Sequence, residues 1–220
     1  PFERIHVEGI TQITDREIQY AHEFGYVIKL LAITKKTASG IEARVHPTLI
    51  PEKSILANVS DAFNAVCVVG DAVGPTLFYG RGAGGMPTAS AVVADIVEAG
   101  RSASTGVVNS LPKGWIANEL VQGVVSSIAE VETRYYLHLI VRDRPGVLAQ
   151  IGKVLGQCDI GIAAVIQKDS HGADTVSLVI ITHQALEKNM IQARQLINQL
   201  EIVSGDSILI RIEELDFAST

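Results

Sequence analysis

Cysteine is scarce in this 220-residue chain: Cys67 and Cys158 are the only two, and neither stands at metal-ligand spacing from a histidine or from the other. No metal site is expected, and both read as buried free thiols of a reducing compartment. Basic residues are also in deficit. Lys and Arg number 18 against 24 Asp and Glu, a net charge of −6, which leaves no basic face for a nucleic acid. No apolar run is long enough to span a membrane, and the start carries no signal-peptide pattern, so a cytoplasmic protein is expected. A G-x-G-x-x-G dinucleotide fingerprint between strand and helix is missing. So is an initiator methionine: the chain opens Pro1-Phe2-Glu3 and reads as a fragment, or the ordered part of something longer.

What is present is an apolar chain punctuated by glycine. Apolar residues make up 47% and charged residues 19%, enough for a core in one large domain or two small ones. The most informative stretch is Gly80-Arg81-Gly82-Ala83-Gly84-Gly85-Met86-Pro87-Thr88-Ala89. It runs into a helix on which Ala89, Val92, Val93, Ile96 and Ala99 recur at helical spacing, with Asp95, Glu98 and Arg101 opposite. Pro87 suits the first helical turn, where a missing N–H costs nothing. A glycine loop that opens a helix leaves bare amides pointing outward with the positive end of the helix dipole behind them. Such a place can hold a phosphate, a carboxylate or a carboxamide, although glycines also serve tight turns with no ligand at all. The glycines sit too close together for the dinucleotide fingerprint, so a dinucleotide touching this loop would reach it from another domain.

Elsewhere in the first half, Thr14 and Glu17 form a capping box for a helix that Gly25 ends, with Ile13 placed to staple to Ile18. Tyr26 to Ile33 reads as a strand, Lys35 to Gly40 as a turn and Ile41 to Val45 as a strand. His46-Pro47-Thr48-Leu49-Ile50-Pro51 is not expected in an interior strand because of its prolines. Ser54 to Val59 suggests a short helix. Ala65 to Val69 reads as a buried strand and Thr76 to Tyr79 as its return. Lys29, Lys35, Lys36 and Asp71 read as solvated charges and turn residues. Arg101 to Gly106 and Leu111 to Gly114 read as linker, with Trp115, the single tryptophan, docking it.

From Arg134 the pattern restarts as βαββαβ. Leu137, Leu139 and Val141 alternate on a strand. Val147 to Cys158 keeps helical spacing, Ile160 to Gln167 and Thr175 to Ile181 are strands flanking a turn at Asp169-Ser170-His171-Gly172, Leu186 to Leu200 is a second amphipathic helix, and Ile208, Ile210 and Ile212 close the set. This is the split-βαβ plan of ferredoxin-like folds.

Asp143-Arg144-Pro145-Gly146-Val147-Leu148 after the first of these strands, and Asp159-Ile160-Gly161-Ile162 before the second, resemble an ACT domain, a small-molecule sensor module that commonly pairs side by side. The resemblance implies an effector site at Asp143, Pro145, Gly146, Val147 and Leu148, with Asp159 and Ile160 at a second loop. Helix amides would receive a carboxylate and Asp143 an ammonium. A plain turn-to-helix entry capped by Asp143 is the alternative.

The first half is similar to the homoserine dehydrogenase family. Ile5-His6-Val7-Glu8-Gly9-Ile10, His46 to Pro51, Ala62-Phe63-Asn64-Ala65-Val66 and the glycine loop fall in that family's order and spacing. The resemblance implies an α+β fold: a hairpin-rich mixed sheet with packed helices over residues 1–108, a linker over 109–133 and a ferredoxin-like ACT domain over 134–214. It implies an NAD(P)-dependent oxidoreductase that reduces L-aspartate 4-semialdehyde to L-homoserine in threonine and methionine biosynthesis, with L-threonine as feedback effector and a homodimer or homotetramer as the assembly. Gly82, Ala83, Gly84 and Gly85 would approach the NADP or NAD cofactor, with Gly84 at its nicotinamide end. The family's catalytic lysine and carboxylates match no residue here, so this chain alone is expected to be inactive. A non-catalytic amino-acid-sensing and dimerisation module is the alternative.

Overall fold

Apolar positions at helical and strand spacing settle most of the elements of the computed structural model, which describes residues 2–38, 40–106, 124–168 and 174–214. In chain order they are β1 (His6–Val7), α1 (Asp15–Glu23), β2 (Tyr26–Thr37), β3 (Gly40–Pro51), β4 (Phe63–Gly70), β5 (Gly74–Arg81), α2 (Gly85–Thr105), β6 (Glu132–Arg142), α3 (Val147–Gln157), β7 (Ile162–Lys168), β8 (Thr175–Thr182), β9 (Ala185–Leu186), α4 (Glu187–Asn198) and β10 (Ile208–Ile212). They divide into two compact units, Pro1–Ala57 with Gly123–Leu215, and Asn58–Gln122 with Asp216–Thr220. The expected division at 108 and 134 follows the order of the chain, whereas these units follow its packing.

The larger unit is one mixed sheet. Its C-terminal strands run β10-β6-β8-β7, each pair antiparallel, which is the βαββαβ plan expected from the period switches. One face packs α3 and α4 through Leu137, Leu139, Ile151, Leu155, Met190 and Ile197. On the opposite face Ala21, with Ile13, Tyr20 and Phe24 around α1, covers Tyr136, Val179, Ile181 and Ile210. Each fully buried Leu or Ile contributes about 1.5–3 kcal/mol. The capping box of α1 is present, and Gly25, at φ +76°, ends the helix. Ile18 stays 44% exposed.

Four expectations are corrected. First, β3 is an interior strand despite Pro47 and Pro51: β2 pairs antiparallel along one edge, and β1 and β10 pair parallel in succession with β3. The Val45 carbonyl accepts from Glu8 N–H (2.8 Å) and that of Leu49 from Glu213 N–H (2.9 Å). Odd-numbered residues of β3 therefore aim their main-chain groups away from β2. Pro47, with no N–H, falls in the break between β1 and β10, and Pro51 falls past the end of β10. The prolines occupy the two places where no partner needs their donor. Second, the turn expected over Lys35–Gly40 is shorter, because β2 pairs β3 as far as Thr37↔Gly40 and Thr37 Oγ1 donates to the Gly40 carbonyl across the reversal at 3.1 Å. Third, Arg101 to Thr105 belong to α2 rather than to a linker: Ser104 and Thr105 hydroxyls bond back to the Arg101 carbonyl (2.9 Å each), and Gly106 closes the helix at φ +64°. Fourth, Ala65–Val69 forms a strand as expected, but Val66, Val68 and Val69 are 61%, 51% and 58% exposed, because β4 pairs only with β5.

The smaller unit holds the β4–β5 ribbon and α2, which has no buried residue. Cys158 is buried in the α3 core and Cys67 is half-buried. Trp115 and the turn at 169–172 lie outside the described residues.

Candidate functional site

Where the glycine loop leaves β5 it is held by one carbonyl. Ala62 O accepts from both Gly82 N–H (3.0 Å) and Ala83 N–H (3.3 Å), so these two amides are not among the bare donors expected of the loop. The donors that remain belong to Gly84, Gly85 and Met86, which have no carbonyl behind them in the helix, while Pro87 has no N–H. Gly84 sits at φ +113°, a conformation that a side chain would strain. A Cβ on Gly82 would lie 1.9 Å from Asn64 Nδ2, whereas Gly85 has nothing within 4 Å of that position. Phe63 and Tyr79 stack at 4.9 Å, with the Arg81 guanidinium 5.3 Å over Phe63, bracing the strands that carry the loop. The arrangement suits a planar amide or an anionic oxygen against backbone. Residues 80–89 include no carboxylate or imidazole to move a proton.

A second constellation lies in the larger unit, where β6 turns into α3. Asp143, Pro145, Gly146, Val147 and Leu148 line a cavity of about 360 Å³ together with Gln167 of β7. Gly146, at φ +89°, is the N-cap and has no side chain to cap with, so Asp143 does not cap α3. Its carboxylate instead receives Gln167 Nε2 at 3.5 Å. Asp159 and Ile160 do not join them. They follow the far end of α3, whose eleven residues extend about 16 Å. Asp159, at φ +59°, donates its N–H to Gly156 O (3.1 Å), and Ile160 donates to Leu155 O (2.9 Å). These are the two bonds of a Schellman helix stop, with Ile160 and Leu155 sharing its apolar contact.

A third constellation was missed by the sequence reading. Arg211 of β10 is clamped by two carboxylates: Glu8 at 2.9 and 2.9 Å, and Glu187 at 2.8 and 2.5 Å. Tyr135 donates to Glu187 (2.9 Å), and His6 meets Glu8 (2.7 Å). Alongside, Arg44 contacts Glu42 (2.5 Å), His46 Nε2 (2.7 Å) and Glu213 (2.9 Å). Lys35 also pairs with Glu213, so it is not simply a solvated charge. Burial works to raise the Glu8 carboxyl, but hydrogen bonds and charge from Arg211, with His6 assisting, win and hold it at about 2. Burial pushes the His46 imidazole down to about 4, with the Arg211 and Arg44 charges acting the same way against the Pro47 carbonyl. Neutral His46 donates from Nδ1 to that carbonyl (2.9 Å) and accepts from Arg44 at Nε2. On the α1 face, Glu17 bonds His138 Nδ1 at 2.7 Å. The available signal was alternation itself: Arg44, His46 and Thr48 alternate with apolar neighbours, which suggests an outer face, but both faces of these strands are covered.

Comparison with known proteins adds to this geometry. Residues 1–97 match the family model for homoserine dehydrogenase. Homoserine dehydrogenase of Neisseria gonorrhoeae is 44% identical over 215 residues, covering 97% of this chain and 49% of the relative. That of Pseudomonas aeruginosa is 41% identical over 217 residues, covering 98% and 50%. The solved structure of a homoserine dehydrogenase from Thiobacillus denitrificans superposes with a TM-score of 0.86 at 46% identity, over 98% of this chain and 49% of that one. The chain thus matches one half of an α+β relative in both sequence and fold. It belongs to the homoserine dehydrogenase family and spans about half the length of the curated relatives it matches. No helix among the described residues is long and apolar enough to cross a membrane.

Proposed function

We propose that this chain serves as the substrate-side and regulatory half of a homoserine dehydrogenase, a cytoplasmic enzyme that reduces L-aspartate 4-semialdehyde to L-homoserine with NADPH or NADH on the way to threonine and methionine. The observation that carries this reading is the glycine loop inside the family-matched segment, with Gly84 in a conformation that suits glycine alone and Gly85 open. When bound, the cofactor supplies the hydride. The chain's own part is positional. Ala62 holds the loop through Gly82 and Ala83, and the free amides of Gly84 and Gly85 orient a carboxamide. No proton-transfer group stands in the loop, so the proton step falls to residues outside 80–89, and we take this half alone to be inactive.

Helix α2 supports a further segment completing the enzyme. Met86, Val92, Val93, Ile96 and Val97 are 81%, 53%, 57%, 65% and 46% exposed, an apolar stripe that a finished fold covers, and the relatives are about twice as long. Residues 1–108, 109–133 and 134–214 act as catalytic part, linker and ACT regulatory domain within a homodimer or homotetramer. L-Threonine is the effector, its ammonium on Asp143 and its carboxylate at the Gly146 and Leu148 amides, since Val147 N–H already donates to the Arg144 carbonyl. Asp159 and Ile160 serve the helix stop within one chain and meet effector only across paired copies.

A second reading, a non-catalytic amino-acid-sensing and dimerisation module, is favoured by the Asp143 cavity alone. Titration of L-threonine into the 220-residue chain tests the regulatory half. Saturable binding that is lost in Asp143→Ala and weaker for 2-aminobutyrate is expected; equal binding of both amino acids refutes hydroxyl recognition.

A further inference from the structure

The break in the sheet beside Pro47 is a cavity. β1 leaves β3 after Val7↔Val45 and β10 joins only at Arg211↔Thr48, so the first residues of β10 have no partner on that side. Because Glu213 aims its N–H at β3, strand alternation aims the main-chain N–H and C=O of Leu209 the same way. They face Pro47, which has no donor, and Val45, whose carbonyl Glu8 N–H already occupies. A cavity of about 360 Å³ fills this gap, lined by Glu8, Pro47, Arg194, Asp206, Leu209 and Arg211. That is near the small end of ligand pockets, which run from roughly 300 to 1,000 Å³.

The charges around the gap are paired in sign but not saturated. Arg194 is fixed by Ser207, with Nε to the hydroxyl (3.2 Å) and Nη2 to the carbonyl (2.7 Å). That leaves Nη1 for a ligand, on a guanidinium already held in place. Asp206 makes no hydrogen bond among the described residues. Arg211 is neutralised by Glu8 and Glu187, and the Glu8 carboxylate is still 39% exposed. One held cation, one carboxylate without a bond, an anchored carboxylate and an unpaired main-chain donor and acceptor surround a space with apolar walls at Ile191 and Ile208.

We propose that this gap binds a small zwitterionic α-amino acid. Its carboxylate bonds Arg194 Nη1 and Leu209 N–H, its ammonium bonds Asp206 and Glu8, and its side chain lies toward Ile191 and Ile208. The site is separate from the Asp143 cavity and stands independently of that reading. It lies where β1 and β3 meet β10, so occupancy ties the first fifty residues to the C-terminal strands.

The test is a titration of the 220-residue chain with single L-amino acids, L-threonine and L-homoserine first and the remaining proteinogenic set after them. Binding is read by calorimetry and by backbone amide NMR. The proposal expects at least one of them to shift the Leu209 amide. Affinity should fall at least tenfold in Asp206→Asn, an exposed change that leaves the fold alone, and in Arg194→Met, and should be unchanged in Asp143→Ala. It is overturned if no amino acid of the set shifts Leu209, or if binding survives both variants. Binding that shifts Gly146 and is lost only in Asp143→Ala also overturns it, while upholding the Asp143 effector site.

Discussion

Acidification should destabilise this chain through one imidazole. His46 is fully buried, with Nδ1 donating to the Pro47 carbonyl and Nε2 accepting from Arg44. Protonation would put a second cation against the Arg44 guanidinium, and burial with the Arg211 and Arg44 charges holds the folded value near 4 against 6.5 for the free side chain. The unfolded chain therefore binds more protons between those limits, and stability falls as pH falls. The contribution is fully present above pH 6.5 and is lost as pH drops through 4. Linkage gives a loss of about 1 kcal/mol at pH 5.5 and about 2–3 kcal/mol at pH 4.5, relative to pH 7.5. Glu8 and Glu17, both held low, act in the same direction but only below their unfolded range near 4.5. Urea unfolding at pH 7.5, 6.5, 5.5 and 4.5 reads the effect. With a slope of about 2 kcal/mol/M, the midpoint should fall by roughly 1 M across the series. His46→Gln keeps an acceptor for Arg44 and should flatten the profile above pH 5. Parallel profiles for the two proteins would refute the assignment.

Three further outcomes follow from the geometry. Arg211→Met strands Glu187 and Glu8 in a covered site and should cost about 3–5 kcal/mol in urea unfolding, whereas Arg134→Met, whose partner Glu214 is 47% exposed, should cost less than about 1 kcal/mol. Asp159→Gly relieves a side chain at φ +59° and should stabilise by roughly 0.5–1 kcal/mol, seen as a higher Tm; a lower Tm would show that the carboxylate does more than stop α3. Gly82→Ala drives a methyl into Asn64, and its disturbance should be relieved by adding Asn64→Ala, a coupling that a double-mutant cycle measures.

Much of the larger unit was legible because its signals are local. Thr14 and Glu17 cap α1, Gly25 stops it, and the switch from period two to period 3.6 after Val141 marks each step of the βαββαβ run. Long-range pairing was not legible. Pro47 and Pro51 argue against an interior strand until the partners on each edge are known, since whether a missing N–H matters depends on what faces it. Arg44, His46, Glu187 and Arg211 carry no local signal of a buried cluster, because their covers come from elsewhere in the chain. At the glycine loop the conformation was foreseen but not the Ala62 carbonyl that takes up two of its amides. At the second loop, Asp159 looked like a ligand contact, and the backbone shows it ending a helix.

The most direct measurement of the central claim is L-homoserine-dependent reduction of NADP or NAD by this chain co-expressed with the complementary half of the Neisseria gonorrhoeae relative. The account predicts no turnover from either half alone, turnover from the pair, and a loss of at least a hundredfold in kcat/KM when Gly84→Val is introduced into a pair that still assembles. Turnover that is unchanged in Gly84→Val, or an assembled pair with none, would contradict it.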